Sequence, residues 1–510
     1  MSKPAAKGTE MEARAEKSPK DGTLQCRDAG QGHPRLFGAG CEDGQDRRRN
    51  SASPSHHVWV YDSGLIAMAS PLAQEGQMHV TLVYPSIGGR VRAVQMQPLT
   101  MAALAGLTPD GVTVGFYDDR IENVPYDLAT DLVGISVQTF TAKRAYEIAA
   151  EFRRRNVPVV LGGFHATAIP EEAAQHADAV VIGEAEESWP RVLEDARTGR
   201  LQRVYRTERR PSLRGLCYRR DIFRGKRYLP LSLVEFGRGC PYSCGFCSVG
   251  EYFGHRKDCR PVGEVVEEIR TLPRRSLEFV DDNLIGDAER AKELFRALIP
   301  LRVRWIAQVG IEIAFDAELL ELAAASGCGG LLIGFESLNN ENLRQMGKSA
   351  RCSADRFADA IEKIHARGIR ICASFMFGYD HDTPEAFSDT LEFANEQKFM
   401  LALFNHLTPF PGTPLYGEMQ TQQRLKHDPW WLAPGFRWGD VVFEPRHLSA
   451  GDLADGCRLN RLRFYQPANI LRRVTLPANR QHLAESLALN FLVRKDVREK
   501  QGFPLGMRQS

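Results

Sequence analysis

The chain has 510 residues, of which 43% are hydrophobic and 25% are charged, and its formal net charge at pH 7 is +2. This length accommodates two or three domains with large hydrophobic cores, and the composition is that of an ordinary globular protein. A net charge near zero gives no indication of a polyanionic partner, so we expect no nucleic acid. No apolar run reaches the roughly 20 residues of a membrane helix, so we expect no transmembrane segment.

The amino-terminal stretch, residues 1–77, is rich in glycine, serine and charged residues and has almost no apolar periodicity. Such a stretch cannot bury enough surface to offset chain ordering, so we expect a disordered extension. Because the first clear strand begins just after Met78, translation from that methionine is the alternative. The stretch lacks the apolar core of a secretory signal, and the cysteine count of 11 is odd. We therefore expect a cytoplasmic protein rather than a disulfide framework.

Residues 78–195 alternate short β-branched runs with segments of helical period. The runs predict five buried parallel strands, at residues 79–85, 112–118, 132–137, 157–163 and 178–183. This alternation predicts an α/β fold that opens with a Rossmann-like (flavodoxin-like) domain, which binds ligands at the carboxyl ends of its strands. Two glycine pairs fall at such ends and are candidate cofactor-binding turns: Gly88 with Gly89, and Gly162 with Gly163.

Residues 196–232 are basic and turn-rich, which predicts a linker with a small hairpin. Residues 233–415 predict a partial (β/α)6 barrel, a partial TIM barrel. Its six parallel strands are expected near residues 233–240, 276–283, 305–310, 330–337, 369–378 and 401–410. In parallel barrels the catalytic groups gather at the carboxyl ends of the strands. Residues 416–510 predict a third, mainly helical region.

Three cysteines follow the first predicted barrel strand, Cys240, Cys244 and Cys247, with three and then two intervening residues. A tight loop with this spacing can aim three thiolates at one point, and thiolate is the soft ligand that iron–sulfur clusters use. A four-iron cluster needs one ligand per iron, so three cysteines leave one iron open. The alternative is a structural zinc site, which normally has four protein ligands and could take His255 or Cys259 as the fourth.

The cysteine motif, with Phe246 directly before its last member, resembles that of the radical SAM superfamily. The resemblance implies a 4Fe–4S cluster that binds S-adenosylmethionine (SAM) and cleaves it reductively to a 5′-deoxyadenosyl radical, with Phe246 against the adenine. Further residues resemble family positions that contact SAM or substrate: Asp281, Asp282 and Asn283 at the SAM amino group, Glu336 at the ribose, Gly378 beside the adenine, and Gln308 facing SAM or substrate. Alternatively, Asp282 and Asn283 cap the helix that begins near Asp287.

Residues 78–195 resemble the cobalamin-binding domain that precedes the barrel in many radical SAM enzymes, on the segments YPSIGG, GGFHAT and IGEAEESW. The resemblance implies cobalamin at the glycine turns, with His165 and Glu184 as candidate contacts. The chain lacks the Asp-x-His-x-x-Gly pattern by which other cobalamin proteins place a histidine under cobalt. The alternatives are that His165 hydrogen-bonds loop backbone and that Glu184 caps the next helix.

Residues 416–510 contain Trp430, Trp431 and Trp438, which are either core anchors or part of a cover over an apolar substrate. The region resembles the helical tail of hopanoid-methylating cobalamin radical SAM enzymes. This resemblance implies a methyltransferase that acts on an unactivated carbon of a small molecule, with an electron donor such as flavodoxin or ferredoxin. Three other outcomes stay open: cyclisation or oxidation, transfer of an aminocarboxypropyl group to a soft acceptor, and a non-catalytic iron–sulfur or zinc sensor.

Overall fold

The computed structural model describes residues 77–87, 95–348 and 352–503. The disordered extension expected at residues 1–77 lies outside these ranges apart from Gln77, and the candidate turn at Gly88 and Gly89 lies outside them as well. The described residues contain two six-stranded sheets and one two-stranded sheet.

The first sheet is built from six parallel strands. They are β1 (His79–Tyr84), β2 (Thr113–Asp118), β3 (Leu132–Ser136), β4 (Val159–Gly162), β5 (Ala179–Ile182) and β6 (Val204–Arg206). Their order in the sheet is β2-β1-β3-β4-β5-β6, and every neighbouring pair is parallel. The order reverses beside β1, which makes the gap between β1 and β3 a topological switch point where ligands bind in such folds. The five strands predicted from the sequence are confirmed.

Helices cover both faces of this sheet. They are α1 (Leu99–Leu107), α2 (Ala142–Arg153), α3 (Phe164–Ala168), α4 (Pro170–His176) and α5 (Ser188–Arg197). Alternate strand residues enter two separate cores: Val133 and Ile135 pack with α2, whereas Leu132 packs with α1 and α5. Burial on both faces explains why the strands read as nearly continuous apolar runs.

The segment predicted as a linker with a hairpin, residues 196–232, is different in the structure. Strand β6 pairs parallel with β5 and extends the first sheet, and no hairpin forms in this segment, which the structure describes in full. Tyr205 and Phe223 are buried in the core on one face of that sheet. The prediction of a linker relied on the many arginines of this segment and did not consider that its few aromatic residues could be buried.

Eight strands follow in the chain. They are β7 (Ser232–Val234), β8 (Gly237–Arg238), β9 (Asp258–Cys259), β10 (Ser276–Phe279), β11 (Arg304–Val309), β12 (Cys328–Glu336), β13 (Arg370–Phe377) and β14 (Leu401–His406). Strands β8 and β9 form an antiparallel pair. The other six are parallel in the order β14-β13-β12-β11-β10-β7, so β14 and β7 are the two edges. The predicted six-stranded barrel architecture, open between its edge strands, is confirmed.

Seven helices accompany these strands. They are α6 (Ser248–Phe253), α7 (Val262–Thr271), α8 (Ala288–Leu298), α9 (Ala317–Ala325), α10 (Asn340–Gln345), α11 (Phe357–Ala366) and α12 (Glu385–Glu396). Strand β11 shows how the layers divide: Trp305 is buried and stacks on Phe295 of α8 at 5.0 Å between ring centroids, whereas the adjacent Ile306 is exposed. Side chains that alternate away from the helices therefore face the barrel interior and stay accessible.

The remaining helices are α13 (Pro414–Thr421), α14 (Ala450–Phe464), α15 (Pro467–Arg473), α16 (Pro477–Arg480) and α17 (Leu483–Glu499). Trp430 is buried and donates from Nε1 to the Pro409 carbonyl at 2.9 Å, and buried Trp431 donates to Glu172 Oε1 at 3.0 Å. Both are therefore core anchors, which settles the alternative of a substrate cover for these two residues. Among the described residues, no helix is sufficiently long and apolar to cross a membrane.

Candidate active site

The cysteine loop lies between β8 and α6, and all three of its thiols are partly buried. Gly239 opens the loop with a φ of +83°, and a Cβ there would lie 2.3 Å from the Arg256 carbonyl oxygen. Glycine is therefore required at this position for conformation and for space. The Cys247 amide donates to the Cys244 carbonyl at 3.0 Å, which turns the chain tightly between the last two thiols.

Burial makes the loop thiols harder to ionise. It raises the pKa of Cys240, and it raises the pKa of Cys247 to about 11, with the neighbouring Cys244 adding to the second effect. The Asn283 amide donates to Cys240 Sγ at 3.9 Å, which favours the thiolate. Since thiolate is the form that binds metal, loading of this loop must release protons.

The two carboxylates of the acidic turn after β10 are bound by other residues of the barrel domain. Asp281 is buried, accepts from the Phe236 amide at 2.9 Å and pairs with Lys257. Asp282 accepts from the Gly239 amide at 3.0 Å, so its carboxylate helps to shape the cysteine loop. Burial raises the pKa of both carboxyl groups. Their predicted contact with the SAM amino group stays a prediction.

The alternative that Asp282 and Asn283 cap the next helix is wrong. Helix α8 begins at Ala288, and its cap is Asp287, whose Oδ1 accepts from the Arg290 amide at 3.1 Å. The side chains of the acidic turn are instead directed at the cysteine loop, since Asp282 contacts the backbone of that loop and Asn283 contacts a thiol.

Glu336 ends strand β12 in a conformation that is uncommon for a residue with a side chain, with a φ of +63°. Such strain costs on the order of 1–3 kcal/mol and is often found at functional sites. Its Oε1 pairs with Lys348 Nζ at 3.0 Å, and the same ammonium donates to the Gly334 carbonyl at 2.9 Å. Burial disfavours the charged amine, but Glu336 outweighs it and raises the pKa of Lys348. Sequence reasoning missed Lys348, because it lies in the loop after α10 with no local pattern around it.

Three other predicted residues lie on the barrel. Gly378 follows β13 with a φ of +110° and donates to Asp382 Oδ2 at 2.7 Å, and a Cβ there would lie 2.8 Å from Leu453. Gln308 is exposed on the interior face of β11. Phe246 is partly buried and packs against the barrel core. Their predicted roles at the adenine and the substrate stay predictions.

A cavity of about 420 Å³ lies between the first sheet and the cysteine loop. On one side it is lined by Gly162, Gly163 and Glu184, at the carboxyl ends of β4 and β5, and on the other by Arg238 and Asp282. Gly163 has a φ of +96°, and a Cβ there would lie 2.9 Å from the Val137 carbonyl oxygen, so this edge of the cavity requires glycine. The predicted glycine turn and the acidic turn therefore line one space.

A network of buried charged side chains lies in the wall of this cavity. Glu184 accepts from Arg210 Nε at 2.8 Å and from Arg238 Nη1 at 3.2 Å, so it is an ion-pair partner. Arg238 also pairs with Glu186, and its Nε lies 2.9 Å from Glu235 Oε1. Burial opposes the charge on Arg238, but the carboxylates outweigh it and raise the pKa of the guanidinium. The residue directly precedes Gly239, so the network connects the cavity wall to the cysteine loop.

Two buried polar atoms of this network have no hydrogen-bond partner in the described part of the chain: Glu186 Oε2 and Arg210 Nη2. Unpaired buried polar atoms are costly and usually have a ligand or water partner. A corrin carries amide groups around its rim, and these both donate and accept hydrogen bonds. Glu186 lines the cavity, so the cavity, its glycine edge and Glu186 Oε2 fit cobalamin, as three thiols on one loop fit an iron–sulfur cluster.

His165 lies away from the cavity. Its ring is buried, with Nδ1 3.2 Å from Thr139 Oγ1 and Nε2 3.0 Å from both Tyr146 OH and Glu172 Oε1. The partners are side chains, so the alternative of backbone hydrogen bonds is wrong. Contact with the corrin stays a prediction, and these contacts give His165 a structural role beside Trp431, whose ring lies 5.4 Å away.

Neither residue proposed as the fourth zinc ligand converges with the loop thiols in the described part of the chain. His255 lies with Nδ1 3.2 Å from the Tyr242 carbonyl and Nε2 3.4 Å from Glu251, and Cys259 lies on β9 against the barrel core. In the ranges that the structure describes, no three His, Cys, Asp or Glu side chains converge as the ligands of a single ion would. In a four-iron cluster each thiolate binds a different iron, so such close convergence is not needed.

Comparison with known proteins gives matches to both parts of the chain. Residues 234–394 match the family model described as the Radical SAM superfamily, and residues 85–193 match that of the B12 binding domain. The Bacteriochlorophyllide d C-12(1)-methyltransferase of Chlorobaculum tepidum is 29% identical over 395 residues, which cover 75% of this chain and 85% of the relative. The Hopanoid C-2 methylase of Rhodopseudomonas palustris is 26% identical over 404 residues, covering 75% and 73%.

A solved structure shows the same fold. It is the radical S-adenosylmethionine methyltransferase TsrM from Kitasatospora setae with cobalamin and a 4Fe–4S cluster bound. It matches with a TM-score of 0.59 at 18% identity, covering 83% of this chain and 99% of that one. The predicted cofactors, a 4Fe–4S cluster, SAM and cobalamin, are confirmed by the two domain matches, and so is the prediction of an enzyme of the methyltransferase type.

Proposed function

Because residues 234–394 match the model of the Radical SAM superfamily and residues 85–193 match that of the B12 binding domain, we propose that the chain methylates an unactivated carbon of an apolar, polycyclic acceptor. The observation that carries this proposal is the cavity shared by Glu184 of the first domain and by Arg238 and Asp282 beside the cysteine loop. A single acceptor carbon has to meet both the radical source and the methyl donor. The cavity, which would hold the methyl donor beside Arg238 and Asp282, supports such an arrangement.

When bound, the cluster and SAM would supply the radical that removes hydrogen from the acceptor, and cobalamin would supply the methyl group. In the balanced reaction, a C–H bond of the acceptor is replaced by a C–CH3 bond. Two SAM molecules and two electrons are consumed, and S-adenosylhomocysteine, methionine and 5′-deoxyadenosine are released. We propose that a small redox protein of the flavodoxin or ferredoxin class supplies the electrons.

The chain's own residues would prepare the cysteine loop for this chemistry. We assign Cys240, Cys244 and Cys247 as ligands of three irons. Asn283 stabilises one of these thiolates through its contact with Cys240 Sγ, and Asp282 holds the loop through the Gly239 amide. The loop is thus held in shape by hydrogen bonds from outside it, which lowers the cost of ordering it around a cluster.

Glu336 would position SAM rather than react with it. Its Oε1 is engaged by Lys348 at 3.0 Å, so we assign Oε2 as the acceptor for a ribose hydroxyl. The positive φ of Glu336 turns the chain at the end of β12, where catalytic groups gather in parallel barrels. Gly378 follows the neighbouring strand β13, and the close approach of Leu453 and Phe443 leaves no space for a side chain there.

The barrel interior supports an apolar acceptor. Val280, Ile306 and Leu403 are exposed large hydrophobic residues on β10, β11 and β14 or directly after them. Their strand neighbours Trp305 and Phe404 are buried on the opposite face, so these side chains face away from the helices. The named acceptors of the two relatives, a bacteriochlorophyllide and a hopanoid, are both large polycyclic molecules. We therefore propose an acceptor of that kind for this chain.

The test is anaerobic turnover with methyl-labelled SAM. The full chain is reconstituted with iron, sulfide and cobalamin, and is offered bacteriochlorophyllide d and a hopanoid in separate reactions. We expect label in one acceptor, together with 5′-deoxyadenosine and S-adenosylhomocysteine. Release of 5′-deoxyadenosine without label in the acceptor would reject methyl transfer, and methylthioadenosine would indicate aminocarboxypropyl transfer instead.

Two variants separate chemistry from folding. Cys244→Ala should abolish 5′-deoxyadenosine formation, because a cluster ligand is lost. Cys328→Ala is the matched control, since this cysteine is buried in the barrel core at the start of β12 and lies outside the loop. Equal loss of product in both variants would contradict the assignment of the loop thiols.

A further inference from the structure

The side chain of Glu278 projects from strand β10 into the interior of the barrel. Its chain neighbours Leu277 and Phe279 are buried in the core beneath the helices, so the alternation of the strand directs Glu278 to the opposite side. Glu278 is in register with Ile306 of β11, which is 39% accessible on that side. Glu278 is itself partly accessible, so its carboxyl group borders the open interior.

The Glu278 carboxyl group has no partner in the part of the chain that the structure describes. Neither a hydrogen bond nor an ion pair joins it to another described residue. A carboxyl group that is partly withdrawn from water without a partner is costly, because it gives up hydrogen bonds with solvent and gains none. Such a group usually meets a ligand or an ordered water. Its interior position and its unpaired state together indicate that this carboxyl group is directed at a bound molecule.

The charged residues on the interior side of the nearby strand segments are bound by other groups. They are Glu235, paired with Arg238; Arg304 and Arg370, both paired with Glu485; and Asp282, which accepts from the Gly239 amide. None of them shifts the ionisation of Glu278, and burial alone raises the pKa of its carboxyl group to about 7. Near neutral pH this carboxyl group therefore carries a proton in a large fraction of the molecules, and in that form it donates a hydrogen bond.

The surroundings of Glu278 on the strands are mainly apolar. Its register neighbours are Leu233 on β7 and Ile306 on β11, and Val280 is the next interior residue of β10. The residue in register with Ile306 on β12 is Gly330, which has no side chain and so widens the interior. A flat apolar molecule held in this space would therefore meet a carboxyl group at one of its edges.

Glu278 lies deeper in the barrel than the cavity. Val280 and Asp282 line the cavity, and Glu278 precedes Asp282 by four residues, which is about 13 Å at the usual rise of a strand. Catalytic groups gather at the carboxyl ends of parallel barrel strands, so the reactive carbon of an acceptor belongs at that end. An elongated polycycle with its reactive carbon there would extend down the interior and place its far edge beside Glu278.

We propose that Glu278 is a specificity residue that donates a hydrogen bond to an oxygen atom at the far edge of the acceptor. This inference rests on the proposed function and narrows the acceptor to polycycles that carry a ring carbonyl away from the methylated carbon. A carbonyl oxygen accepts the single O–H of a protonated carboxyl group. A purely hydrocarbon polycycle would leave Glu278 unpaired, so the site would discriminate against it.

The test is binding of bacteriochlorophyllide d, which carries a ring carbonyl, to the reconstituted full-length protein at pH 6.5 and pH 8.5. The red absorption band of the macrocycle reports binding. Because only the protonated form of Glu278 donates, the affinity should fall roughly 20-fold between the two pH values. Glu278→Gln keeps a donor that does not ionise, so it should bind tightly at both. Glu278→Leu should bind roughly 5- to 10-fold more weakly than the unmodified protein at pH 6.5, without the pH dependence.

Glu293→Gln is the matched control, since this glutamate is exposed on α8 outside the barrel interior; its affinity should fall with pH as in the unmodified protein. Absence of binding, or an affinity that does not depend on Glu278, would overturn the proposal. An affinity that rises with pH would also overturn it, because the site would then bind a cationic acceptor. Binding with the expected pH dependence but no methyl label in the product would reject the proposed reaction alone. Methyl transfer with unchanged KM in Glu278→Leu would reject the role of Glu278 alone.

Discussion

The substitution Glu278→Gln tests whether the barrel interior is sufficiently dry to keep a carboxyl group protonated near neutral pH. Glu278 lies on β10, in register with Ile306 of β11, so it faces the interior side of the barrel. Burial raises the pKa of its carboxyl group from an ordinary value of 4.5 to about 7, and no charged neighbour contributes to this shift. The folded protein thus holds a proton on Glu278 where the unfolded chain has released it.

The expected magnitude follows from this difference. Between pH 4.5 and 7 the folded state binds more protons than the unfolded state, so the free energy of unfolding falls as the pH rises. The penalty is absent below about pH 4.5, full above about pH 7, and reaches roughly 3 kcal/mol at about 1.36 kcal/mol per pKa unit. Glu278→Gln removes the charge, so it should stabilise the protein by up to about that amount at pH 8 and have little effect at pH 4.5.

Urea unfolding of the full chain at pH 4.5 and pH 8, followed by circular dichroism, measures the change in the free energy of unfolding. Glu293→Gln is the control, because that glutamate is exposed on α8 and pairs with Arg290; its effect should be small and should not change with pH. A gain for Glu278→Gln that is equal at both pH values, or no gain at pH 8, would refute the reasoning that burial alone perturbs this carboxyl.

Three further predictions concern the cavity and its loop. Arg238→Gln leaves the buried carboxylates around it uncompensated and should destabilise the protein by about 3–5 kcal/mol in urea unfolding; a loss under 1 kcal/mol would mean that the network is solvated. Gly163→Ala places a Cβ 2.9 Å from the Val137 carbonyl oxygen at a φ of +96°. It should lower the melting temperature and weaken cobalamin binding, measured by corrin absorbance. Unchanged binding would contradict the placement of cobalamin at this glycine. Cys247→Ala should lose its iron in anaerobic metal analysis, whereas Cys328→Ala, which changes a buried core cysteine, should retain it. Retention of iron by Cys247→Ala would reject that ligand.

Most of the fold was predictable because its signal is local. The runs that became β1 and β3 are β-branched and apolar, and burial on both faces of a parallel sheet requires that composition. The candidate site residues were predictable from the strand positions, because catalytic and binding residues lie at the carboxyl ends of parallel strands. The acidic turn that ends at Asn283 was located in this way, and the structure directs its side chains at the cysteine loop.

What could not be predicted depends on partners distant in the chain. Lys348 is 12 residues from Glu336 and lies in a loop, so no helical or strand period connects them. Arg210 lies in the basic stretch that predicts a linker, yet it pairs with Glu184, which is 26 residues away in the chain. Charge patterns along a sequence show how many ions there are, whereas burial decides which of them are paired.

The pairing has a consequence for the cofactors. The network beside the cavity contains more carboxylates than guanidinium groups: Glu184, Glu186, Glu235 and Asp258 against Arg210, Arg238 and Arg256. Glu186 Oε2 remains without a partner among the described residues, so the excess negative charge is not fully satisfied by the protein. An amide of the corrin rim would donate to this oxygen, and in a partly buried site such a hydrogen bond is stronger than it would be in water. The arginines would then serve to hold the carboxylates in place rather than to neutralise them completely.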